Sequence, residues 1–489
     1  MSLNEIALPT RQRQIHLLTV LLSLAFFALI FYFRFTLEDF SQPFVYVFLG
    51  IGLITLISGR LESFILIILI VTSTVFELLE FPTIPIMIGD LYFSDVLILL
   101  LLVGRLLKRV TQDVVIIPKP LGYPIMACIL VGLFSFLYAT VGFNVSTTTA
   151  GIELRALIHL SLFFVVCYYV KNNAQLKSLL LGMGIIASVV SGLLILQYIL
   201  GRDTSIVAGR LEILNTSGQN FTDVIRILVP GASLMFFALN VFVSIYIMKG
   251  LRYGRLFLLL SIAVLTMGMI LTFTRVYWVM ILTGIMFLLF LARRRAIIYP
   301  RISFLLVGVF LALVIFLQSR VLNPAVIEEA VFKRSLSILR APSNFQHDTL
   351  FMRYLESRYA WEKIKENPWL GIGLGKAYRP LIFGKTKYEN TVGGTFLHNG
   401  YLATQLKMGL PGTLTFFWLM VAFFARLLKR WRRIEDPLYQ AVVLGIATSM
   451  GGMLLHNLIA SPFLTVFGAS VAAVSMGIVE KIYQLEGLT

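Results

Sequence analysis

The sequence predicts an all-α, polytopic membrane protein: a transmembrane helical bundle of about 12–14 spans with a helical extracytoplasmic cap from one long loop. The chain of 489 residues is 58% hydrophobic and only 13% charged, with a mean hydropathy of +0.89. Soluble domains are usually about 45–50% apolar and about 25% charged. The apolar residues also lie in runs long enough to cross a bilayer, separated by one long hydrophilic stretch.

A spanning helix needs about 20 mainly apolar residues, and the chain holds roughly fourteen such runs. No small-residue cleavage site follows the first run, so we expect a retained anchor rather than a cleaved signal. The chain then divides into transmembrane helices with short loops over 1–319, a large extracytoplasmic loop over 320–396, and C-terminal transmembrane helices over 397–489. The runs lie near residues 17–33, 43–57 (a short one), 63–79, 91–107, 122–140, 152–170, 178–200, 227–248, 256–273, 276–292, 302–319, 411–427, 438–456 and 462–480.

Basic residues between the predicted spans give the orientation. Cytoplasmic loops of membrane proteins carry an excess of Lys and Arg. With the N-terminus inside, each basic cluster falls in a cytoplasmic connection, which places the long loop and a short polar segment near 201–226 outside. The clusters are Arg105, Lys108 and Arg109; Lys171 and Lys177; Lys249, Arg252 and Arg255; Arg293, Arg294, Arg295 and Arg301; and Arg426, Lys429, Arg430, Arg432 and Arg433.

The formal net charge of +17 would indicate a nucleic-acid partner for a soluble protein. Here the cytoplasmic loops account for much of the excess, and we expect no nucleic acid. The long external loop nevertheless contains more Lys and Arg than Asp and Glu, which the topological bias does not explain. This external excess favours an anionic partner. Attraction to the headgroups of membrane lipids is the alternative.

The long loop contains a predicted helix, because apolar residues recur at helical spacing through 350–364. Leu350, Tyr354, Ala360, Trp361 and Ile364 illustrate the spacing. Asn367-Pro368 would end this helix, and the glycines that follow would turn the chain. Those glycines are Gly371, Gly373 and Gly375.

Arginines supply the first candidate functional residues. Arg275 is the only charge in the apolar stretch 256–292 and lies where the chain must reverse at the outer interface. A charge in such a run is costly and therefore a functional candidate, and guanidinium matches phosphate oxygens. A snorkelling arginine that anchors a helix end is the alternative. Arg353 and Arg358 lie on the predicted cap helix, where most arginines are solvated or make weak surface pairs.

His398, one of five histidines, is a candidate functional residue of a different type, because it could exchange a proton. It lies at the junction between the long loop and the next span, in "GGTFLHNGYLATQLKMGLPGT". Imidazole can accept a proton near neutral pH, although a lone histidine is more often a satisfied hydrogen-bonding residue. His456-Asn457 repeats the dipeptide at another external helix end but lacks the glycine pattern that follows His398.

Other kinds of site find little support in the sequence. Cys128 and Cys167 both lie in apolar runs, which argues against a disulfide framework. No His or Cys spacing typical of a metal site occurs, and the G-x-S-x-G motif is absent. The sequence "GIGLGKAY" resembles a phosphate-binding loop but lacks its first glycine and the Ser or Thr after Lys376.

His398-Asn399, followed after nine residues by "GLPGT", resembles the signature of the bacterial O-antigen ligase family and the related O-antigen polymerases. Upstream, "NPWLGIGLG" is similar to the family's P-x-x-G-x-G turn. The family has an arginine before this turn, and Arg353 corresponds to it. "TFTRVYW" is similar to the T-x-S-R segment, with Thr274 in place of serine, and Ser357 stands where Trp is expected. The resemblance covers about 256–425, whereas the first two hundred residues agree only in hydropathy.

The resemblance implies an inverting, membrane-embedded glycosyltransferase in the bacterial inner membrane, with its active site facing the periplasm. The donor would be a glycan linked to undecaprenyl pyrophosphate. Arg275 and Arg353 would hold the pyrophosphate, and His398 would deprotonate or orient the acceptor hydroxyl. Arginines would replace a divalent cation, so no metal or cofactor is expected. Secondary candidates for substrate contact are Arg210, Arg226, Arg358 and Asn399.

The identity of the acceptor stays open. A lipid A core sugar would make the protein a ligase of lipopolysaccharide biosynthesis, which the His-Asn-x9-Gly pattern slightly favours. A second lipid-linked glycan would make it a polysaccharide polymerase. The alternative from another class is a transporter or flippase for a lipid-linked anion, supported only by Glu153, Arg155 and His159 within one span. A structural scaffold would leave Arg275 without a role.

Overall fold

The computed structural model describes residues 63–73, 84–86, 89–111, 117–201, 206–207, 209–216, 219–248, 255–292, 349–380 and 394–488. The predicted spans near 17–33, 43–57 and 302–319 lie outside the described residues, as do the basic positions from 293 to 301.

The described part consists mainly of α-helices, with two short hairpins. In chain order the elements are α1 (Ser63–Ser73), β1 (Ile84–Ile86), β2 (Gly89–Leu91), α2 (Phe93–Thr111), α3 (Gly122–Leu137), α4 (Thr147–Ile158), α5 (Leu162–Tyr169), α6 (Asn173–Leu200), β3 (Arg210–Thr216), β4 (Gln219–Leu228), α7 (Ala232–Met248), α8 (Arg255–Leu271), α9 (Arg275–Ala292), α10 (Thr349–Glu366), α11 (Gly400–Arg430), α12 (Pro437–His456) and α13 (Val466–Leu485).

The predicted all-α, polytopic architecture is confirmed. Six helices of the described part are long and apolar enough to cross a membrane, and four more are apolar but shorter. The six are Gly122–Gly142, Thr147–Tyr169, Asn173–Leu200, Gly400–Arg433, Pro437–His456 and Val466–Leu485; the shorter four are Ser63–Thr72, Ala232–Met248, Leu256–Leu271 and Arg275–Leu288.

Large apolar side chains on the outer faces of several helices are exposed, as a lipid environment requires. In water such contiguous surfaces would mark an interface or an aggregation hazard, whereas lipid tails solvate them. Examples on α3, α9 and α11 are Leu130, Phe134, Leu282, Met286, Phe417 and Val421.

The two hairpins were not predicted. β1 pairs with β2 and β3 pairs with β4, both antiparallel, with an irregularity between Ile213 and Leu214. The second hairpin occupies the segment near 201–226 that the sequence analysis described only as short and polar. Its strands are rich in β-branched residues, which favour a pleated surface, but they also alternate with charged residues and carry little hydropathy signal.

Small residues allow close packing around the most buried helices, α12 and α13. A Cβ atom on Gly445 of α12 would lie 2.5 Å from the Cα atom of Val241 in α7. One on Gly477 of α13 would lie 2.7 Å from a side-chain carbon of Val166 in α5. Such close approach is typical of membrane helix packing, where van der Waals contact rather than water exclusion holds helices together.

Polar contacts join several basic helix ends at one end of the bundle. Arg426 of α11 pairs with the fully buried Glu480 of α13 at 2.7 Å, and the Tyr439 hydroxyl of α12 donates to Asn173 at the start of α6 at 3.0 Å. The predicted clusters beginning at Lys171 and Arg426 therefore belong to the same end. Because helices alternate in direction, the ends that carry Arg275, His398 and His456 lie opposite.

Helix α11 begins well before the predicted span 411–427. The Asn399 side chain accepts from the amides of Tyr401 and Leu402, each at 3.1 Å, and so caps the helix. The polar first half is helical because its side chains find partners: Gln405, for example, donates to the Pro368 carbonyl at 2.8 Å. Gly409 is non-helical and separates this half from the apolar half.

Candidate active site

Arg275 is the first residue of α9 and follows a very tight reversal from α8. Only residues 272–274 connect the two helices. Phe273 is fully buried with a positive φ of 46°, a conformation that costs a non-glycine residue about 1–3 kcal/mol and often occurs near functional sites. The Thr274 hydroxyl donates to the Thr272 carbonyl at 3.1 Å and helps to fix the turn. The predicted reversal with almost no connector is confirmed.

Arg353 lies on α10, the helix predicted within the long loop. α10 packs on α11, where Ala360 and Ile364 form a buried cluster with Ala403 and Leu406. The side chains of Tyr354 and Trp361, which belonged to the apolar pattern, are instead 60% and 52% exposed. Their outward position leaves one face of α10 in contact with the bundle, and this face carries Arg353.

The glycine turn that follows α10 docks on α11 through its backbone. Gly371, Gly373 and Gly375 all have positive φ values, as the predicted turn requires. The Ile372 amide donates to the Leu406 carbonyl at 2.8 Å, and the Gly373 amide donates to the Lys407 carbonyl at 3.1 Å. α10 is therefore fixed to the membrane helix rather than tethered loosely to it.

A buried ion pair fixes the other side of the same turn. Lys407 of α11 pairs with Glu153 of α4, whose second carboxylate oxygen accepts from the Gly375 amide at 2.7 Å. The Ser135 hydroxyl of α3 donates to the Lys407 carbonyl at 2.8 Å. The turn, α3, α4 and α11 thus meet in one polar network, which a buried charge pair needs for its remaining hydrogen-bonding atoms.

His398 lies directly before α11, and its ring contacts Glu356 of α10. The distance from His398 Nδ1 to Glu356 Oε2 is 2.7 Å, and the His398 backbone amide donates to the same oxygen at 3.3 Å. Arg379 Nη2 donates to the other oxygen at 3.1 Å. The imidazole packs edge-on against Phe396 and remains about one-third exposed, whereas Glu356 and Arg379 are buried or nearly so.

Sequence reasoning missed both Glu356 and Arg379. One signal was available: Glu356 follows Arg353 by three residues and therefore lies beside it on α10. Arg379 had no such signal, because its position depends on how the chain returns after the glycine turn. The Tyr378 hydroxyl donates to the Phe396 carbonyl at 3.1 Å, which holds that segment against the residues before His398.

Arg353, one turn before Glu356 on α10, lies within electrostatic range of two other arginines. Burial lowers the pKa of Arg353, the nearby Glu356 carboxylate raises it, and the charges of Arg226 and Arg275 lower it again. Arg226 comes from β4, where it stands opposite Glu212 of β3. Guanidinium groups on α9 and on the hairpin therefore lie within electrostatic range of Arg353 on α10, and so does His456 at the end of α12.

Three of the secondary candidates for substrate contact have other positions or structural roles. Arg358 is 65% exposed and forms an i,i+4 pair with Glu362 at 3.5 Å. Asn399 caps α11, so its side-chain oxygen is already engaged. The backbone of Arg210 stands opposite Leu228 near the base of the hairpin.

The charged residues that could have favoured a transporter, Glu153, Arg155 and His159, contact other residues of the helical bundle. Arg155 Nε lies 2.7 Å from Asp95 of α2, and its guanidinium stacks over the Tyr92 ring at 3.5 Å. His159 is fully buried, with Nδ1 2.9 Å from the Arg155 carbonyl. These contacts join α2 to α4 and give the transporter hypothesis no independent support. Within the described residues, no group of three or more His, Cys, Asp or Glu could hold a metal ion.

Together, fold and site define a multi-pass helical membrane protein with a cationic cluster beside a histidine. Residues 257–417 match the model of a family described as O-antigen ligase. This match agrees with the resemblance of the motifs to the O-antigen ligase and polymerase superfamily. This match covers a third of the chain and includes Arg275, Arg353, Glu356 and His398. A comparison with curated proteins found no significant match.

The family indicates a membrane enzyme of the glycosyltransferase type, with activity of the O-antigen ligase or polymerase kind. It also indicates, in general terms, a lipid-linked glycan and an acceptor as substrates. Arg226 lies outside the matched residues, and its place beside Arg353 follows from the structure alone.

Proposed function

We propose that the protein is an inverting glycosyltransferase that moves a glycan from undecaprenyl pyrophosphate to a sugar acceptor on the outer side of the bacterial inner membrane. An O-antigen ligase with a lipid A core acceptor is slightly favoured over a polymerase that extends a lipid-linked glycan. The observation that carries the proposal is the partly buried Arg353, which lies within electrostatic range of Arg226, Arg275 and Glu356, and Glu356 in turn contacts His398.

Neighbouring guanidinium groups raise the local positive potential, which attracts an anion. A diphosphate has several negative charges and presents oxygens that match the guanidinium fork. Arg275 is also the first residue of α9, where the helix dipole adds to the positive potential. The cluster therefore suits a diphosphate better than a neutral sugar.

The same groups suit the chemistry of transfer. The acceptor hydroxyl oxygen forms a bond to the anomeric carbon while the bond from that carbon to the diphosphate oxygen breaks, and the electron pair leaves with the diphosphate. Fixed guanidiniums stabilise the charge that develops there, and His398 receives the hydroxyl proton. Attack from the face opposite the leaving group inverts the anomeric configuration.

The proposed periplasmic location rests on the distribution of basic residues. The described helix ends near Lys171 and Arg426 lie at the end of the bundle opposite His398. Positively charged ends usually remain in the cytoplasm. The cluster would then face the outer leaflet, where a polymerised or assembled lipid-linked glycan is delivered.

Purified full-length protein supplied with a glycan on undecaprenyl pyrophosphate tests this function. Lipid A core and a second lipid-linked glycan, offered separately, distinguish ligase from polymerase. We expect His398→Ala to reduce transfer by roughly 10²–10⁴-fold with donor binding retained. Arg275→Ala should weaken donor binding by about 10- to 100-fold, whereas Arg358→Ala, at an exposed surface pair, should change neither. Wild-type turnover by the His398→Ala protein would refute the base assignment.

A further inference from the structure

We propose that Glu356 is a positioning residue for His398: it selects the imidazole tautomer that leaves Nε2 able to accept the acceptor proton. This inference rests on the proposed function and deepens it. The evidence is the short contact from Glu356 Oε2 to His398 Nδ1, at 2.7 Å, together with the 3.3 Å hydrogen bond from the His398 backbone amide to the same oxygen.

The carboxylate determines which ring nitrogen carries the proton. An ionised carboxylate only accepts hydrogen bonds, so the nitrogen that faces it must be a donor. His398 Nδ1 therefore holds the proton, and in the neutral ring Nε2 keeps its lone pair. A histidine with the opposite tautomer could not act as a base through Nε2. The hydrogen-bond partner of Nδ1 thus determines whether Nε2 can accept a proton.

Arg379 is the charged partner of the Glu356 carboxylate. Glu356 is only 6% exposed, so its oxygens need partners inside the protein. Arg379 donates to Oε1 at 3.1 Å, while His398 occupies Oε2. Both oxygens are thus engaged, and the Arg379 charge also limits the repulsion that Glu356 would exert on a diphosphate held by the nearby Arg353.

Helix α10 couples the two halves of the proposed reaction. Arg353 and Glu356 are three residues apart and so lie next to each other on one helix face, with Cβ atoms about 5–6 Å apart. Arg353 faces the leaving group, and Glu356 holds the base. One rigid element therefore sets the distance between the diphosphate and the imidazole, which must lie on opposite sides of the anomeric carbon.

The competing explanation is that Glu356 only anchors α10 to the segments around Arg379 and His398. Glu356→Gln separates the two explanations. Glutamine keeps the size and one acceptor oxygen, so it can still anchor α10. Its NH₂ group can also donate to Nδ1, so glutamine no longer selects one tautomer. Glu362→Gln is the matched control, since Glu362 lies on the same helix, is 53% exposed and pairs only weakly with Arg358.

Kinetics of the full-length protein give the first test. We expect Glu356→Gln to lower kcat at least about tenfold with little change in donor KM, and Glu356→Asp to recover part of the loss. A loss confined to donor KM, or an equal loss of kcat in Glu362→Gln, would indicate a purely structural role and overturn the proposal.

Selective ¹⁵N-histidine labelling gives a second test that needs no turnover. The His398 signals are assigned by their absence in His398→Ala, and we expect the Nδ1–H tautomer in the wild type and a shift toward Nε2–H in Glu356→Gln. A wild-type Nε2–H tautomer, or a tautomer unchanged by Glu356→Gln, would overturn the proposal. If the tautomer depends on Glu356 but no lipid-linked glycan is transferred, the pairing stands and the proposed function fails.

Discussion

Gly409 lies directly against Gly371, and this contact joins the turn after α10 to α11. A Cβ atom on Gly409 would lie 2.7 Å from the Gly371 amide nitrogen and 2.2 Å from the Trp369 carbonyl oxygen. Gly409 also has φ 63° and ψ −160°, a region essentially restricted to glycine. Two glycines from separate motifs thus form one interface, and this interface positions α10 over α11.

We expect Gly409→Ala to destabilise the protein by at least about 2 kcal/mol, from backbone strain together with steric overlap. Gly451→Ala is the matched control: Gly451 lies in α12, and a Cβ atom there would meet nothing within 4 Å. Alanine at that helical position should be neutral or stabilising by up to about 1 kcal/mol. Thermal unfolding in detergent measures both, and equal melting temperatures would contradict the interface described here.

The pair formed by Glu153 and Lys407 should be sensitive to loss of either partner. Lys407→Met leaves a carboxylate in a poorly solvated network, and Glu153→Gln leaves an ammonium there; each should cost about 3–5 kcal/mol. The double variant should cost less than the sum, because neither charge is then left alone. Lys363→Met, at an exposed pair with Glu366 on α10, is the control and should change stability by less than about 1 kcal/mol.

Arg353 should not tolerate lysine if it binds a diphosphate through its planar fork. We expect Arg353→Lys to weaken binding of the undecaprenyl-pyrophosphate donor about tenfold or more despite the conserved charge. Arg358→Lys, one turn further along α10 and 65% exposed, should bind the donor as the wild type does. Equal donor affinity in all three proteins would remove Arg353 from the proposed pyrophosphate site.

The arginine cluster predicts transfer without a divalent cation. Arg226, Arg275 and Arg353 would neutralise the diphosphate, which is the role a metal ion often takes in phosphate chemistry. Protein treated with EDTA and then freed of chelator should therefore retain its transfer rate within about twofold. A loss that added Mg²⁺ or Mn²⁺ restores would show that the arginines are insufficient.

Much of the local structure could be predicted. Helix α10, its end near Asn367-Pro368 and the glycine turn were confirmed, because helix breakers act on their immediate neighbours. The polar first half of α11 and the β3–β4 hairpin were not predicted. Hydropathy does not detect a helix whose polar residues, such as Gln405 and Lys407, are satisfied by distant partners.

The candidate site was predictable only in part. Arg275, Arg353 and His398 were candidates from charge, position and motif resemblance; Arg353 lies within electrostatic range of Arg275 and of Glu356, which contacts His398. Glu356 and Arg379 were not identified, although they determine how the imidazole is held. Arg358 and Asn399 were candidates, but the first lies at an exposed pair and the second caps a helix.

By itself, the sequence determined that this chain is a membrane protein, where many of its helices begin and end, and which cations stand at helix ends. These properties follow from local hydropathy and local backbone preferences. Only the tertiary structure decided that Glu356, rather than another acid, faces His398, which lies 42 residues away along the chain. That pairing depends on how α10 packs on α11, and packing depends on shape and backbone contact across the whole site.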